Sequence, residues 1–309
     1  MSTSSRPSRR PERLDVYRTP DERFARLTGY EFEPHHVEQD GLRMHFVDEG
    51  PRDGRPVLLL HGEPTWSFLY RHMVPLLAGA GLRALAPDYF GFGRSDKPTG
   101  RDWYTYDHHC ESIARFVSEV GLTGLTVVVQ DWGGPIGFRL AVEHSDLVDR
   151  LVVLNTGIFS GRPPSEAWLQ FRDFVRKLDL ELRPGQLVNL TCGGTLPEDV
   201  VAGYDAPHPV PESRVGVVMF PELVPTSPDH PAAAAMLEVR EGIKRWDRPA
   251  LVLFSDGDPV FSKAAAEAMA ARIPGAGPAE FVEGAGHFLQ EQQGPAIAER
   301  VVRFVRETS

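Results

Sequence analysis

Short apolar segments alternate along the chain with longer segments whose apolar residues recur at helical spacing. Residues 43–48 alternate between polar and apolar positions and predict an edge strand of a hairpin. Buried strands are predicted at residues 57–60, 83–86, 125–130, 151–154, 250–254 and 279–282. Helices are predicted at residues 67–77 and 106–120, after residue 132, and at 294–307. This order predicts an α/β fold with a mostly parallel sheet covered by helices on both faces.

The alternation is interrupted in the middle of the chain. From about residue 156 to residue 240 there are helical patterns and many prolines, with almost no strand signal. A helical block inserted between two strands predicts a cap over the carboxyl edge of the sheet, where open parallel sheets bind ligands. We therefore expect a main domain of residues 16–155 and 241–309 and a helical cap domain of residues 156–240. Residues 1–15 are rich in Ser, Arg and Pro and predict a disordered tail.

Composition narrows the classes of protein and of partner. The 309 residues carry 43 acidic and 33 basic side chains, a net charge of −10, which argues against a nucleic-acid partner. Two cysteines are too few for a disulfide scaffold or a cysteine-based metal site. There is no apolar run of membrane-spanning length and no apolar core of a secretory signal near the start. A cytoplasmic protein without a membrane partner is the expectation, as a monomer or weak homodimer.

The strand at residues 125–130 ends at Asp131, which Trp132 and two glycines follow. A buried strand that turns sharply into a helix is the architecture of a nucleophile elbow, a position usually occupied by Ser. A carboxylate there implies an alkyl-ester intermediate, so the expected electrophile is an sp³ carbon. Val129 stands where the common elbow pattern has a small residue, and the motif match is incomplete.

An ester on Asp131 must be hydrolysed, which requires a base. His287 lies in a glycine-rich loop after the last predicted strand and is the candidate. The preceding strand is followed by Asp256 and Asp258. We favour Asp258 as the acid that orients His287, because it lies beyond the turn glycine, while Asp256 fits a turn residue. Seven other histidines lie in polar or loop contexts and are expected to be solvated: His35, His36, His108, His109, His144, His208 and His230.

The order nucleophile, acid, histidine is the order of the α/β-hydrolase fold. In that fold the loop after the third strand supplies one backbone N–H of an oxyanion hole, and the residue after the nucleophile supplies the other. These positions are held by Glu63 and Trp132. The Glu63 side chain can be an ordinary loop acid or can order a water molecule.

Several motifs resemble the haloalkane dehalogenase family. They are His61-Gly-Glu-Pro-Thr-Trp-Ser-Phe-Leu-Tyr-Arg71, Pro87-Asp-Tyr-Phe-Gly-Phe-Gly-Arg-Ser-Asp-Lys-Pro98, Val128-Val-Gln-Asp-Trp-Gly-Gly134 and Gly284-Ala-Gly-His-Phe-Leu-Gln-Glu291. Weaker similarity extends from about Tyr17 to the C-terminus, and Val at position 129 is normal in this family. Glu rather than Asn at position 63 resembles the subfamily that binds halide with two tryptophans. That subfamily places its catalytic acid after the penultimate strand, where Asp258 stands.

The resemblance implies roles for further residues. The indole N–H groups of Trp132 and of Trp168, the only tryptophan of residues 155–240, would bind the leaving halide. Phe171, Phe220 and Pro221 would line the substrate pocket. Trp168, Phe171 and Phe174 also recur at near-helical spacing and fit a cap core. Core packing is the alternative for Phe220 as well.

The implied reaction is hydrolytic dehalogenation. Asp131 displaces halide, His287 activates water, and halide, alcohol and a proton leave, with no metal or organic cofactor. The partners would be a small halogenated hydrocarbon, halide and water. The alternatives are an epoxide hydrolase, a cofactor-free luciferase-type monooxygenase and a non-catalytic receptor. Epoxide hydrolases activate the epoxide with cap tyrosines, and Tyr204 is the only tyrosine of the predicted cap.

Overall fold

The structure, a computed structural model, describes residues 14–159, 161–162 and 164–309. The strands of these residues are β1 (Val16–Tyr17), β2 (His35–Gln39), β3 (Leu42–Glu49), β4 (Pro56–Leu60), β5 (Arg83–Pro87), β6 (Lys97–Pro98), β7 (Leu125–Gln130), β8 (Val148–Leu154), β9 (Ala250–Ser255) and β10 (Glu280–Val282). Their α-helices are α1 (Val74–Gly79), α2 (Tyr106–Val120), α3 (Gly133–Glu143), α4 (Glu166–Leu178), α5 (Pro184–Thr191), α6 (Glu198–Asp205), α7 (Val215–Met219), α8 (Ala233–Ile243), α9 (Lys263–Arg272) and α10 (Leu289–Glu307). Short 3-10 helices connect several of them.

The central sheet has the order β10-β9-β8-β7-β4-β5-β3-β2 in the described chain. From β10 to β5 all neighbours are parallel, whereas β3 and β2 run antiparallel to theirs. The chain passes from β4 to β5 on one side and returns to β7 on the other. The switch point therefore lies between β4 and β7, which is where open sheets of this class bind ligands.

Both faces of the sheet are buried, and alternate residues of each strand enter different cores. Leu125, Val127 and Val129 of β7 pack in one core with α2, α3, α8 and α9. Val128 points to the opposite face, which α1 and α10 cover. A strand buried on both sides is mostly apolar, which is why four of the six residues of β7 are Leu or Val. The predicted mostly parallel sheet is confirmed.

Two local predictions were wrong. Residues 43–48 belong to a hairpin, but β3 lies between β5 and β2, and β2 forms the edge of the sheet. The alternating exposure of β2, with two histidines at its start, made it resemble a loop. The single helix predicted at residues 67–77 is a 3-10 helix at Ser67–Tyr70 followed by α1. Pro75 in the first turn of α1 has no N–H to donate to an earlier carbonyl, so the two segments do not merge.

The insertion between β8 and β9 contains α4 to α8 and no strand in its described residues. This agrees with the helical cap, while the domain limits at residues 156 and 240 remain predictions. Residues 1–13 of the predicted tail lie outside the described residues. Among the helices of the described chain, none has both the length and the apolar content that a membrane-spanning segment requires.

Candidate active site

Asp131 lies on the sharp turn that joins β7 to α3. Its φ of 50° is in the left-handed region, which non-glycine residues seldom adopt. The Asp131 N–H donates to Asn155 O at 3.1 Å, and the Asp131 carbonyl accepts from Gly134 N at 2.9 Å and from Thr156 Oγ1 at 2.5 Å. These hydrogen bonds hold the strained turn, and the carboxylate is directed to the carboxyl edge of the sheet. The elbow was predicted from the sequence, and the backbone has this geometry.

Glycines allow neighbouring backbone to approach this turn. A Cβ at Gly62 would lie 2.3 Å from Asp131 Oδ1, and one at Gly134 would lie 1.9 Å from Thr156 Oγ1. Either side chain would displace the elbow. These two glycines are therefore needed for the position of the carboxylate.

The loop after β4 meets Asp131 at the switch point. The Glu63 N–H donates to Asp131 Oδ1 at 2.9 Å, so one predicted oxyanion-hole donor contacts the carboxylate. No hydrogen bond joins the Trp132 N–H to this carboxylate within the described residues, and its part in the oxyanion hole remains a prediction. A backbone donor on Oδ1 can stabilise negative charge on that oxygen when water attacks the carboxyl carbon.

His287 lies between two carboxylates. Its Nε2 is 3.6 Å from Asp131 Oδ2, and its Nδ1 is 3.0 Å from Asp258 Oδ2. The Asp258 side chain is fully buried, and its other oxygen accepts from Val260 N at 2.6 Å. Asp256 is exposed and instead accepts from Gly284 N at 3.0 Å, at the start of the His287 loop. The structure therefore brings Asp131, His287 and Asp258 together and leaves Asp256 in the turn.

The two carboxylates control the protonation of His287. Burial lowers the pKa of the imidazole, but the negative charge of Asp258 and the contacts with Asp131 outweigh it and raise the pKa to about 10. With both carboxylates ionised, His287 is an imidazolium at neutral pH. Neutralising Asp131 removes one of these charges and lowers the pKa of His287.

Sequence reasoning missed the residues that hold the His287 loop. Asn155 Nδ2 donates to Ser255 Oγ, Gly286 O and His287 O at 2.8–3.1 Å. Gln130 Nε2 lies 3.3 Å from both His287 Nε2 and His287 O. All of these polar side chains end neighbouring parallel strands. Polar residues directly after apolar strands were the available signal.

The Glu63 side chain is also buried beside Asp131. It is 6% exposed, and Glu63 Oε1 has no hydrogen-bond partner in the described residues. Burial and the charge of Asp131 raise the pKa of the Glu63 carboxyl well above its usual range, which favours its neutral form. A neutral carboxyl can donate a hydrogen bond, which an ionised one cannot.

Two connected chambers meet at Asp131. The chamber that includes His287 has a volume of about 250 Å³, and the one that includes Trp132 about 280 Å³. Both are lined by Glu63, Asp131, Ser165, Trp168, Phe171 and Val260. The His287 chamber adds Pro64, Leu187, Thr191, Pro259, His287 and Phe288. The Trp132 chamber adds Trp132, Ile158, Phe159, Arg162, Pro164, Pro221, Val224 and Phe261.

Most predicted pocket residues line these chambers. Trp168 and Phe171 face both, whereas Trp132 and Pro221 face the Trp132 chamber. Phe220 lines neither: it is fully buried and packs edge-on against Trp132, with ring centroids 5.2 Å apart. It therefore supports the indole from behind, which is the core-packing alternative.

Most of the chamber residues missed by the sequence analysis are apolar, and Arg162, Ser165 and Thr191 are the polar ones. Phe159 lies between the two predicted halide-binding tryptophans, with ring centroids 6.3 Å from Trp132 and 6.5 Å from Trp168. Phe261 stacks on His287 at 6.0 Å. In the sequence, the apolar pair Val260-Phe261 directly after the acid loop was a possible signal for this part of the lining. In the structure Val260 is 49% exposed.

Two histidines expected to be solvated are buried. His109 is 1% exposed on α2, and His208 is 2% exposed after α6. Burial lowers the pKa of each to about 3 and keeps both neutral. The helical pattern of α2 accounts for His109, which packs on Phe220 with ring centroids 4.6 Å apart. Neither histidine lines a chamber that contains Asp131.

In residues 14–159, 161–162 and 164–309, no three His, Cys, Asp or Glu side chains form a group that could hold a metal ion.

The arrangement of an aspartate on the elbow after β7, an acid after β9 and a histidine after β10 is that of the α/β-hydrolase fold. A family profile described as "alpha/beta hydrolase fold" matches residues 55–189. The chain is 46% identical over 299 residues to a haloalkane dehalogenase of Mycobacterium marinum, covering 94% of this chain and 100% of that protein. It is 40% identical to a haloalkane dehalogenase of Psychrobacter cryohalolentis, covering 95% and 99%.

A solved structure is similar along nearly the whole chain. The haloalkane dehalogenase DpaA of Paraglaciecola agarilytica, described as tetrameric, superposes with a TM-score of 0.87 at 36% identity, covering 93% of this chain and 97% of that one. This chain belongs to the haloalkane dehalogenase family.

Proposed function

We propose that this protein hydrolyses haloalkanes to alcohol, halide and a proton through an alkyl ester on Asp131. The observation that carries the proposal is the line of three side chains at the switch point, in which His287 lies between Asp131 and the buried Asp258. A carboxylate nucleophile fits displacement at an sp³ carbon, and the apolar chambers beside it fit a small halogenated hydrocarbon.

In the first step one oxygen of Asp131 attacks the halogen-bearing carbon. The carbon–oxygen bond forms as the carbon–halogen bond breaks, and the halogen leaves with the electron pair. Trp132 and Trp168 both line the Trp132 chamber. Within the described residues, neither indole N–H donates a hydrogen bond to an acceptor. These donors would stabilise the charge that grows on the halide at the transition state.

In the second step water attacks the carboxyl carbon of the ester. Ester formation has removed the charge of Asp131, so the pKa of His287 falls and the imidazolium can lose its proton to solvent. Neutral His287 then takes a proton from the attacking water, and Asp258 stabilises the imidazolium that forms. The Glu63 N–H stabilises the charge on the carboxyl oxygen. Collapse of this intermediate releases the alcohol and restores Asp131.

An epoxide hydrolase is disfavoured by the position of the cap tyrosine. Tyr204 is fully buried, its hydroxyl donates to Glu291 Oε2 at 2.5 Å, and it lines neither chamber. It cannot donate to an epoxide oxygen near Asp131 without leaving that buried bond.

The test combines turnover with trapping of the ester. Wild-type protein should release halide from chloro-, bromo- or iodoalkanes. His287→Gln should release one equivalent of halide per enzyme and then stop, because alkylation needs no base. Mass spectrometry of a digest should find the alkyl group on the peptide with Asp131. Asp131→Asn is the control and should give neither halide nor adduct at early times. Multiple turnover by His287→Gln, or an adduct on another acid, would contradict the mechanism.

A luciferase-type monooxygenase would be recognised by O₂ uptake without halide release in the same assays. A non-catalytic receptor would bind small molecules with neither O₂ uptake nor halide release. The predicted monomer or weak homodimer is tested by light scattering of the purified chain, where a tetramer would contradict it.

A further inference from the structure

In the proposed function, His287 and Trp132 face different chambers, while Asp131 and Trp168 line both. His287, which must reach the attacking water, lines one chamber and is absent from the lining of the other. Trp132, which faces the leaving halide in the proposed function, lines only the other. The halide is therefore formed on the side of the Trp132 chamber, and the water attacks from the side of the His287 chamber.

Arg162 is an exposed cation in the wall of the Trp132 chamber. Among the described residues that line either chamber, it is the only Lys or Arg. No carboxylate of the described residues forms an ion pair with it. Apart from His287, the other titratable side chains of the two linings are Asp131 and the buried Glu63, in a chain whose net charge is −10.

We infer that the Trp132 chamber is the exit route of the halide and that Arg162 is a transient anion site at its mouth. The inference rests on the proposed function and adds a residue that acts after the carbon–halogen bond has broken. A halide that leaves a low-dielectric cavity of an acidic protein meets an unfavourable potential, and a cation on the route lowers that barrier.

The charge of Asp131 adds a direction to this route. While Asp131 is esterified it is neutral, and the halide beside the indoles is not repelled by it. Hydrolysis restores the carboxylate next to the halide. The restored carboxylate repels the anion toward Arg162, so release of halide follows completion of the reaction.

A cation at the mouth of the chamber and an indole donor at the bound halide would affect the rates of bromide binding and release differently. Arg162 would stabilise the halide in transit more than the halide between the indoles. Arg162→Gln should therefore slow both association and dissociation of bromide about two- to fivefold, while the equilibrium Kd changes less than about twofold. Loss of an indole donor would instead weaken the Kd.

The experiment is stopped-flow quenching of tryptophan fluorescence by sodium bromide at low ionic strength. Arg162→Lys should keep the wild-type rates. Lys177→Gln, which removes one exposed positive charge from α4 outside both chambers, is the matched control and should also keep them. With about 1 M ionic strength set by sodium sulfate, the difference between wild type and Arg162→Gln should vanish, because the Debye length falls to about 3 Å.

Equal bromide rates in wild type and Arg162→Gln, or the same loss in Lys177→Gln, would overturn the assignment. So would a loss confined to KM for ω-bromoalkanoates with unchanged bromide rates, since Arg162 would then bind the anionic end of a substrate. A wild-type protein that neither binds bromide nor releases halide from bromoalkanes would overturn the proposed function itself, which distinguishes the two failures.

Discussion

The two walls of the cavity are built differently. The wall from the sheet edge is formed by the buried Glu63 and His287 and by Asp131, whose side chain is 20% exposed. Hydrogen bonds connect it to β4, β7, β8 and β9. The opposite wall is the start of α4, where Trp168 and Phe171 are half-buried. Among the described side chains of α4 only Val175 is fully buried. The sheet edge thus fixes the reacting atoms, and α4 shapes the space for substrate and halide.

The cap as a whole is fastened through α6 rather than α4. Tyr204 of α6 bonds Glu291, which also forms a buried two-bond ion pair with Arg71. The indole of Trp66 donates to Gly203 O at 3.2 Å. The α4 helix is joined to its surroundings by the exposed pair Arg176–Glu222 and by Arg101–Asp179 at its end. Exposed ion pairs contribute little to stability, so α4 is the more replaceable wall.

The largest expected effect comes from the sheet-edge wall. Asp258→Asn keeps the shape but removes the charge that stabilises the imidazolium, and hydrolysis of the ester should fall on the order of 10³- to 10⁴-fold. Asp256→Asn is the matched control, because its amide oxygen can still accept from Gly284 N. It should retain activity within about twofold. Steady-state halide release measures both, and a reversed order of the two losses would contradict the assignment of Asp258.

The α4 wall should give an intermediate effect. Trp168→Phe keeps most of the apolar volume and removes the N–H, so bromide affinity and dehalogenation should fall roughly ten- to a hundredfold, the value of about 1.5–3 kcal/mol for a bond to a charged partner. Trp246→Phe, outside both chambers, is the control. Fluorescence titration and halide release are the measurements. If Trp168→Phe keeps the bromide affinity of the wild type but has a lower Tm, Trp168 is a core residue of the cap and not a halide donor.

Tyr204→Phe tests the fastening of the cap. It removes a hydrogen bond to the Glu291 carboxyl group, which also pairs with Arg71, and should lower the free energy of unfolding by about 1.5–3 kcal/mol. Arg176→Gln breaks the exposed α4 pair and should cost at most about 1 kcal/mol. Urea denaturation followed by circular dichroism compares them. If Arg176→Gln lowers the free energy of unfolding more than Tyr204→Phe does, the cap is held mainly through α4 and not through α6.

The sheet-edge wall also predicts a dependence of stability on pH. The pKa of His287 is raised from 6.5 to about 10, so the stabilisation by its carboxylate partners is complete below pH 6.5 and is lost as the pH rises toward 10. The free energy of unfolding of the wild type should fall over this range more than that of His287→Gln. If the free energy of unfolding of the two proteins depends on pH in the same way, His287 is not held as an imidazolium.

Much of the sheet edge could be predicted from the sequence. The run from Leu125 to Gln130 followed by Asp131, Trp132 and two glycines defines an elbow locally, because an apolar strand and a tight turn depend on nearby residues. His287 and Asp258 were predicted because parallel strands place the residues that follow them at one edge. The edge strand β2 was missed because Val37 is the only apolar residue among its five, which does not distinguish it from a loop.

The α4 wall depended on tertiary structure. A helical pattern at residues 166–178 predicts a helix, but Trp168 and Phe171 face the chambers while Phe174 is 44% exposed, and spacing does not distinguish these outcomes. Phe220 and His109 became core residues because two segments distant in sequence pack together.

The sequence by itself determined the elbow, the residue types of the reaction and the alternation of buried strands with helices, since each depends on local pattern or on the chemistry of one side chain. Only the tertiary structure decided that Trp132 and His287 line different chambers and that Arg162 lines one of them. It also decided that Glu63 Oε1 is buried with no hydrogen-bond partner among the described residues. These properties arise where β4, β7, α4 and the loop before α10 meet, and burial and electrostatic potential at such a place are sums over residues far apart in the chain.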